Sequence, residues 1–111
     1  RSAGGLDING MGLALQNYNI PYYFIEHENP HRHDWLHFAC ENGYACIVGI
    51  RSPYGWHAVT LVGYYSDYVG VIDSNMPGEV TWVTRSVFDA YYYEAIMVYN
   101  WKTPQTQRAS R

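Results

Sequence analysis

His57 and Asp73, sixteen positions apart, are the two residues whose types and spacing point most directly to chemistry. His57 opens the apolar, β-branched run Ala58-Val59-Thr60-Leu61-Val62-Gly63-Tyr64, and Asp73 closes the run Tyr68-Val69-Gly70-Val71-Ile72. A short turn between antiparallel strands brings the start of one beside the end of the next. An imidazole held against a carboxylate can take a proton from a nucleophile and return it to a leaving group. The carboxylate fixes the ring's tautomer and angle. Asn75 is a second candidate for that orienting role. The plainer alternatives are a solvated histidine at a strand start and an aspartate that caps the turn Ser74-Asn75-Met76. The capping role is compatible with the catalytic one.

A nucleophile is harder to place. Cys40 falls near the end of a predicted helix, where the dipole makes a thiol less acidic, and Cys46 falls inside an apolar strand. Both read as core residues. The alternative is one disulfide across Asn42-Gly43-Tyr44, which would imply an oxidising compartment. Ser52 and Ser66 sit in turns without the context of an activated serine. His33 and His37 stand four apart on one helical face, a chelating spacing, with Glu26, His27, Glu28 and His31 nearby. Asp34 stands where a zinc-protease helix has Glu, and no third ligand is marked. The cluster therefore reads as a solvated face, and no metal or cofactor is expected.

The elements that must position these residues follow from periodicity and punctuation. Apolar positions three and four apart predict a helix from Leu6 to Tyr18, weakened by Gly10 and Gly12 and stopped before Pro21. A short strand is expected at Tyr22–Glu26, and a second helix from Pro30 or His31 to about Glu41, ended by Asn42-Gly43. The meander Ala45–Ile50, His57–Tyr64 and Tyr68–Asp73 comes next, then Glu79–Val83 as a strand. Ser86-Val87-Phe88-Asp89 has capping-box spacing for a short helix Ser86–Tyr92, and Ala95–Trp101 is a final strand. Residues 102–111 read as a flexible polar tail. The expectation is a single α+β domain over residues 1–101, with an antiparallel sheet of about five strands, two N-terminal helices and one short helix before the last strand.

Composition limits the partners. A net charge of −3 with only 7 Lys+Arg gives no footprint for nucleic acid or an anionic membrane surface. No apolar run approaches the roughly 20 residues of a membrane span. The 12 Tyr and 4 Trp exceed what an ordinary core needs, so Tyr64, Tyr65, Tyr68 and Tyr91-Tyr92-Tyr93 either line a peptide groove or pack within the sheet.

Gly55-Trp56-His57-Ala58-Val59-Thr60-Leu61-Val62-Gly63-Tyr64, followed by Val69-Gly70-Val71-Ile72-Asp73-Ser74-Asn75-Met76-Pro77-Gly78, resembles the His and Asp segments of papain-like cysteine peptidases. The bacterial group similar to the bacteriocin-leader-processing peptidases is nearest in pattern. The resemblance extends from about Gly4 to Tyr99. It implies a papain-like α+β fold and hydrolysis of a peptide or isopeptide bond through a thioester, with His57 as base and Asp73 or Asn75 as orienter. In that family the nucleophilic Cys starts a helix before the segment that Ala3-Gly4-Gly5 and the following helix match. Neither Cys40 nor Cys46 stands at that place. The expectation is a His/Asp half whose thiol comes from a preceding segment or a partner chain, inactive alone. A peptide or protein is its substrate, and a homodimer is one way to cover an exposed apolar face. The other reading is a catalytically dead module that keeps the fold to bind a peptide or protein.

Overall fold

The computed structural model describes residues 16–73 and 75–102. The predicted helix Leu6–Tyr18 lies outside these residues except for its last turn, and so does the tail beyond Lys102. The described chain runs β1 (Tyr23–Ile25), α1 (Arg32–Asn42), β2 (Tyr44–Ser52), β3 (Gly55–Tyr64), β4 (Tyr68–Asp73), β5 (Thr81–Thr84), α2 (Arg85–Tyr91) and β6 (Tyr92–Lys102). The strands form one antiparallel sheet in the order β1-β6-β2-β3-β4-β5.

This corrects the expected arrangement of about five strands behind two N-terminal helices. The sheet has six strands, and α1 lies between β1 and β2 rather than in an N-terminal pair. The reason is β6, which pairs with β2 on one side and is apolar on both faces. Its free edge takes Tyr23-Phe24-Ile25 in register with Met97, Ile96 and Ala95. Ile25 then fills one face, while Phe24 packs against the cluster on the other.

The main core lies on the face that carries α1. Cys46, Val48, Val59, Leu61, Val71, Ala95 and Met97 come from facing strand positions, and Leu36, Ala39 and Cys40 of α1 close over them. Alternation along each strand produces this one-sided set. Gly43 ends α1 in the left-handed region at φ 70°, its N–H donating to the carbonyls of Ala39 and Cys40. A residue without Cβ adopts that conformation at little cost.

The helix α2 starts differently from the capping box expected at Ser86. Thr84 is the N-cap, its hydroxyl accepting from the Val87 N–H at 3.4 Å. Asp89 is drawn away from the helix start. It accepts from Arg85 Nε and from the Tyr64 hydroxyl, both at 2.8 Å.

Candidate active site

The β2–β3 hairpin sets the position of His57. Ser52 pairs with Gly55 across the turn, and the Ser52 hydroxyl accepts from the Tyr54 N–H at 3.1 Å and donates to the Gly55 carbonyl at 3.2 Å. Two residues further on, His57 faces Ile50, on the same face as Val59 and Leu61. Asp73 ends β4 opposite Val59, so His57 and Asp73 are diagonal neighbours on one face at one rim.

Their side chains meet. His57 Nε2 lies 2.6 Å from Asp73 Oδ2, and both side chains remain about one-third exposed, at 33% and 29%. The other carboxylate oxygen, Oδ1, accepts from the Asn75 N–H at 2.9 Å, and the Asp73 carbonyl accepts from the Met76 N–H at 3.0 Å. Asp73 therefore both caps its turn and holds the imidazole. Asn75 takes part through its backbone, at an exposed position.

The charge state follows from these contacts. Burial opposes ionisation of Asp73, but the Asn75 amide and the His57 ring outweigh it, and the carboxyl titrates below its ordinary range. An ionised carboxylate only accepts hydrogen bonds, so Nε2 carries the proton and the neutral ring keeps its lone pair on Nδ1. No hydrogen bond to Nδ1 occurs among the described residues. Nδ1 is thus the ring nitrogen that can accept a proton, in a side chain about one-third exposed.

The depressed Asp73 value makes stability depend on pH in a defined direction. The stabilisation is present above the unfolded carboxyl value of about 4 and is lost as pH falls through the lower folded value. The urea midpoint of the native chain should therefore exceed that of Asp73→Asn at neutral pH, and the two should converge in acid. A difference that stays constant down to strongly acidic pH would contradict this.

Neither cysteine reaches the pair. Both are free and buried. Cys46 faces Leu61, four residues from His57 along β3, which is about 13 Å at the rise of a strand. Cys40 lies in the last turn of α1, where the Gly43 N–H bonds its carbonyl. Burial pushes its thiol up to about 12 and raises Cys46 further. Iodoacetamide should therefore leave both thiols unlabelled in the folded chain and modify both in urea, as counted by mass spectrometry. Rapid labelling of either in the folded chain would be the contrary result.

The other candidates separate from the site. Ser52 is committed to its turn and Ser66 to the β3–β4 turn. His37 pairs with Glu41 at 3.2 Å and His31 with Asp34 at 3.3 Å. His33 points instead at Asp89 Oδ1, 3.6 Å away. No three His, Cys, Asp or Glu side chains converge as a metal site among the described residues. No helix among them is long and apolar enough to cross a membrane. Of the tyrosines, Tyr64 and Tyr92 are core residues, so packing accounts for them. Tyr93 packs beside Trp56, the neighbour of His57 whose side chain alternates to the other face of the sheet. It stacks on His27 at 4.2 Å and meets Trp56 edge-on at 4.9 Å, with Arg51 over both rings.

Sequence reasoning missed one polar cluster and that aromatic group. The cluster joins Tyr64, Arg85, Asp89 and His33 beneath the sheet, with the Arg85 guanidinium 3.9 Å over the Tyr64 ring. Burial lowers the His33 pKa against the pull of Asp89, and Nε2 has no hydrogen-bond partner among the described residues. Only the Arg85–Asp89 spacing of four carried any sequence signal. The aromatic group depends on a β-bulge in β6, where the register shifts between Gly49 and Ile50. Bulges leave no mark in a single sequence.

No family model, curated protein or solved structure matches this chain.

Proposed function

We propose that this chain supplies the histidine and aspartate of a cysteine-peptidase-type triad, with a thiol brought to His57 Nδ1 by a segment outside the described residues. The observation that carries the reading is the 2.6 Å contact between His57 Nε2 and Asp73 in part-exposed side chains, with no hydrogen bond to Nδ1 among the described residues. The sequence resemblance to papain-like peptidases supports it.

The chemistry follows in order. Nδ1 takes the thiol proton, and the thiolate attacks a peptide or isopeptide carbonyl. The imidazolium, stabilised by Asp73, returns the proton to the leaving amine, and a thioester remains. Nδ1 then deprotonates a water molecule that hydrolyses the thioester. Without the added thiol, the isolated chain is inactive.

Burial of both resident cysteines favours a second reading, a module that binds a peptide or protein and has lost the nucleophile.

Nitrogen-15 NMR of the His57 ring tests the premise on the isolated chain. The neutral ring should show the proton on Nε2 and a bare Nδ1, and Asp73→Ala should release this preference. A proton on Nδ1 in the native chain would remove the base from the reading. Sequence upstream of Arg1 separates the two functions: a Gln followed by a Cys at a helix start supports the enzyme.

A further inference from the structure

We propose that two copies of this chain associate through β5, joining their sheets edge to edge about a two-fold axis. The sheet ends in β1 on one side and β5 on the other. The β1 edge is only three residues long and runs into Glu26-His27-Glu28, so it is poorly suited to pairing. The β5 edge, Thr81-Trp82-Val83-Thr84, has no charge and no proline, and its residues are half-buried or exposed. Among the described residues it pairs only with β4.

The hydrogen-bond pattern shows which groups the edge presents. The Arg85 N–H donates to the Asp67 carbonyl at 2.8 Å, and Tyr68 is opposite Thr84. That arrangement makes Tyr68–Thr84 a non-hydrogen-bonded pair, and pairs alternate along an antiparallel ladder. Val83 therefore spends its backbone groups on Val69. Trp82, opposite Gly70, turns its N–H and C=O outward, and Thr84 turns its N–H outward.

A two-fold axis normal to the sheet keeps each face on its own side, so residues paired across the seam must come from the same face. Trp82 facing its own copy meets this condition, and each Trp82 N–H then reaches the other's C=O. The same register sets the Thr84 N–H against the carbonyl of Val80 of the second copy. It also sets Glu79 against Arg85 of the second copy at both ends of the seam. Centring the seam on Val83 instead would put Glu79 opposite Val87, so charge complementarity selects the Trp82 register. Arg85 already bonds Asp89 and the Tyr65 carbonyl but retains further N–H donors.

The faces beside the seam suit burial. Trp82 lies flat over Gly70, where an added Cβ would come within 2.8 Å of the ring, and it stacks near Tyr65 with centroids 6.0 Å apart. Tyr65, Ser66, Asp67, Tyr68 and Trp82 line a shallow cleft there. Val87 of α2 is 51% exposed. The second copy continues this aromatic strip across the axis.

Sedimentation velocity and amide exchange of the complete chain test the inference together. The chain should sediment as a dimer that dissociates on dilution. The Trp82 amide should be protected in the dimer and exchange freely in the monomer, while the Val83 amide stays protected in both. Glu79→Arg, at an exposed position, should raise the dimer dissociation constant about tenfold by turning two attractive pairs into repulsive ones. A chain that stays monomeric at high concentration with a fast Trp82 amide overturns the proposal and leaves the edge to another occupant. A dimer with an unprotected Trp82 amide places the interface elsewhere and overturns it equally. Unchanged dimerisation in Glu79→Arg overturns the register.

Discussion

Replacing His57 by alanine is expected to lower peptide hydrolysis by the thiol-complemented protein by about 10²- to 10⁴-fold, the usual worth of a positioned acid–base group. The expectation rests on Nδ1, which has no hydrogen bond among the described residues and is the one ring nitrogen left to take a proton. Variants at Asp73 should fall between His57→Ala and the native protein. Asp73→Asn can still accept from Nε2 but loses the charge that stabilises the imidazolium. Asp73→Ala loses the orientation as well and releases the Asn75 amide. The order of activities, native above Asp73→Asn above Asp73→Ala above His57→Ala, separates an oriented base from a merely structural contact. In the binding-module reading, partner affinity would be the function, and loss of His57 would leave it largely unchanged.

Replacing Leu61 by alanine should destabilise the fold by about 2–5 kcal/mol, the range for a fully buried leucine. Leu61 is 0% exposed, faces Cys46 on one neighbour and Val71 on the other, and lies beneath the helix-bearing face. It also precedes the register shift that carries β3 to Gly63 and Tyr64. Its removal leaves a cavity between stiff strands that cannot collapse into it. In thermal unfolding the midpoint should drop on the order of 10 to 20 °C. Tyr54→Ala at the hairpin tip is the control. That side chain is 98% exposed, and its loss should stay within about 0.5 kcal/mol. Similar losses for the two variants would contradict the assignment of the core.

Local order was readable because its causes are local. Alternation in β3 and β4, with turns at Pro53-Tyr54 and Ser66-Asp67, forces His57 and Asp73 onto one rim, and a single register follows from the buried face. The left-handed stop at Gly43 was equally visible. Layout was not. A three-residue strand such as Tyr23–Ile25 has no sequence signal that names β6 as its partner, so the strand count of the sheet and the grouping of α1 into an N-terminal helix pair came out wrong, although strand and helix follow each other in the chain as expected. The capping box at Ser86 failed because Thr84 was a better-placed hydroxyl and Asp89 found Arg85 and Tyr64. Contacts between residues as distant as His33 and Asp89 depend on how α1 and α2 meet over the sheet, which no periodicity reports.

A thiol-directed probe applied to the protein with its upstream segment, with adducts located by mass spectrometry, tests the proposed function most directly. The expected result is rapid labelling of one cysteine other than Cys40 and Cys46, slowed sharply by His57→Ala. Labelling that is absent, or that proceeds at the same rate without His57, would show that the imidazole activates no thiol.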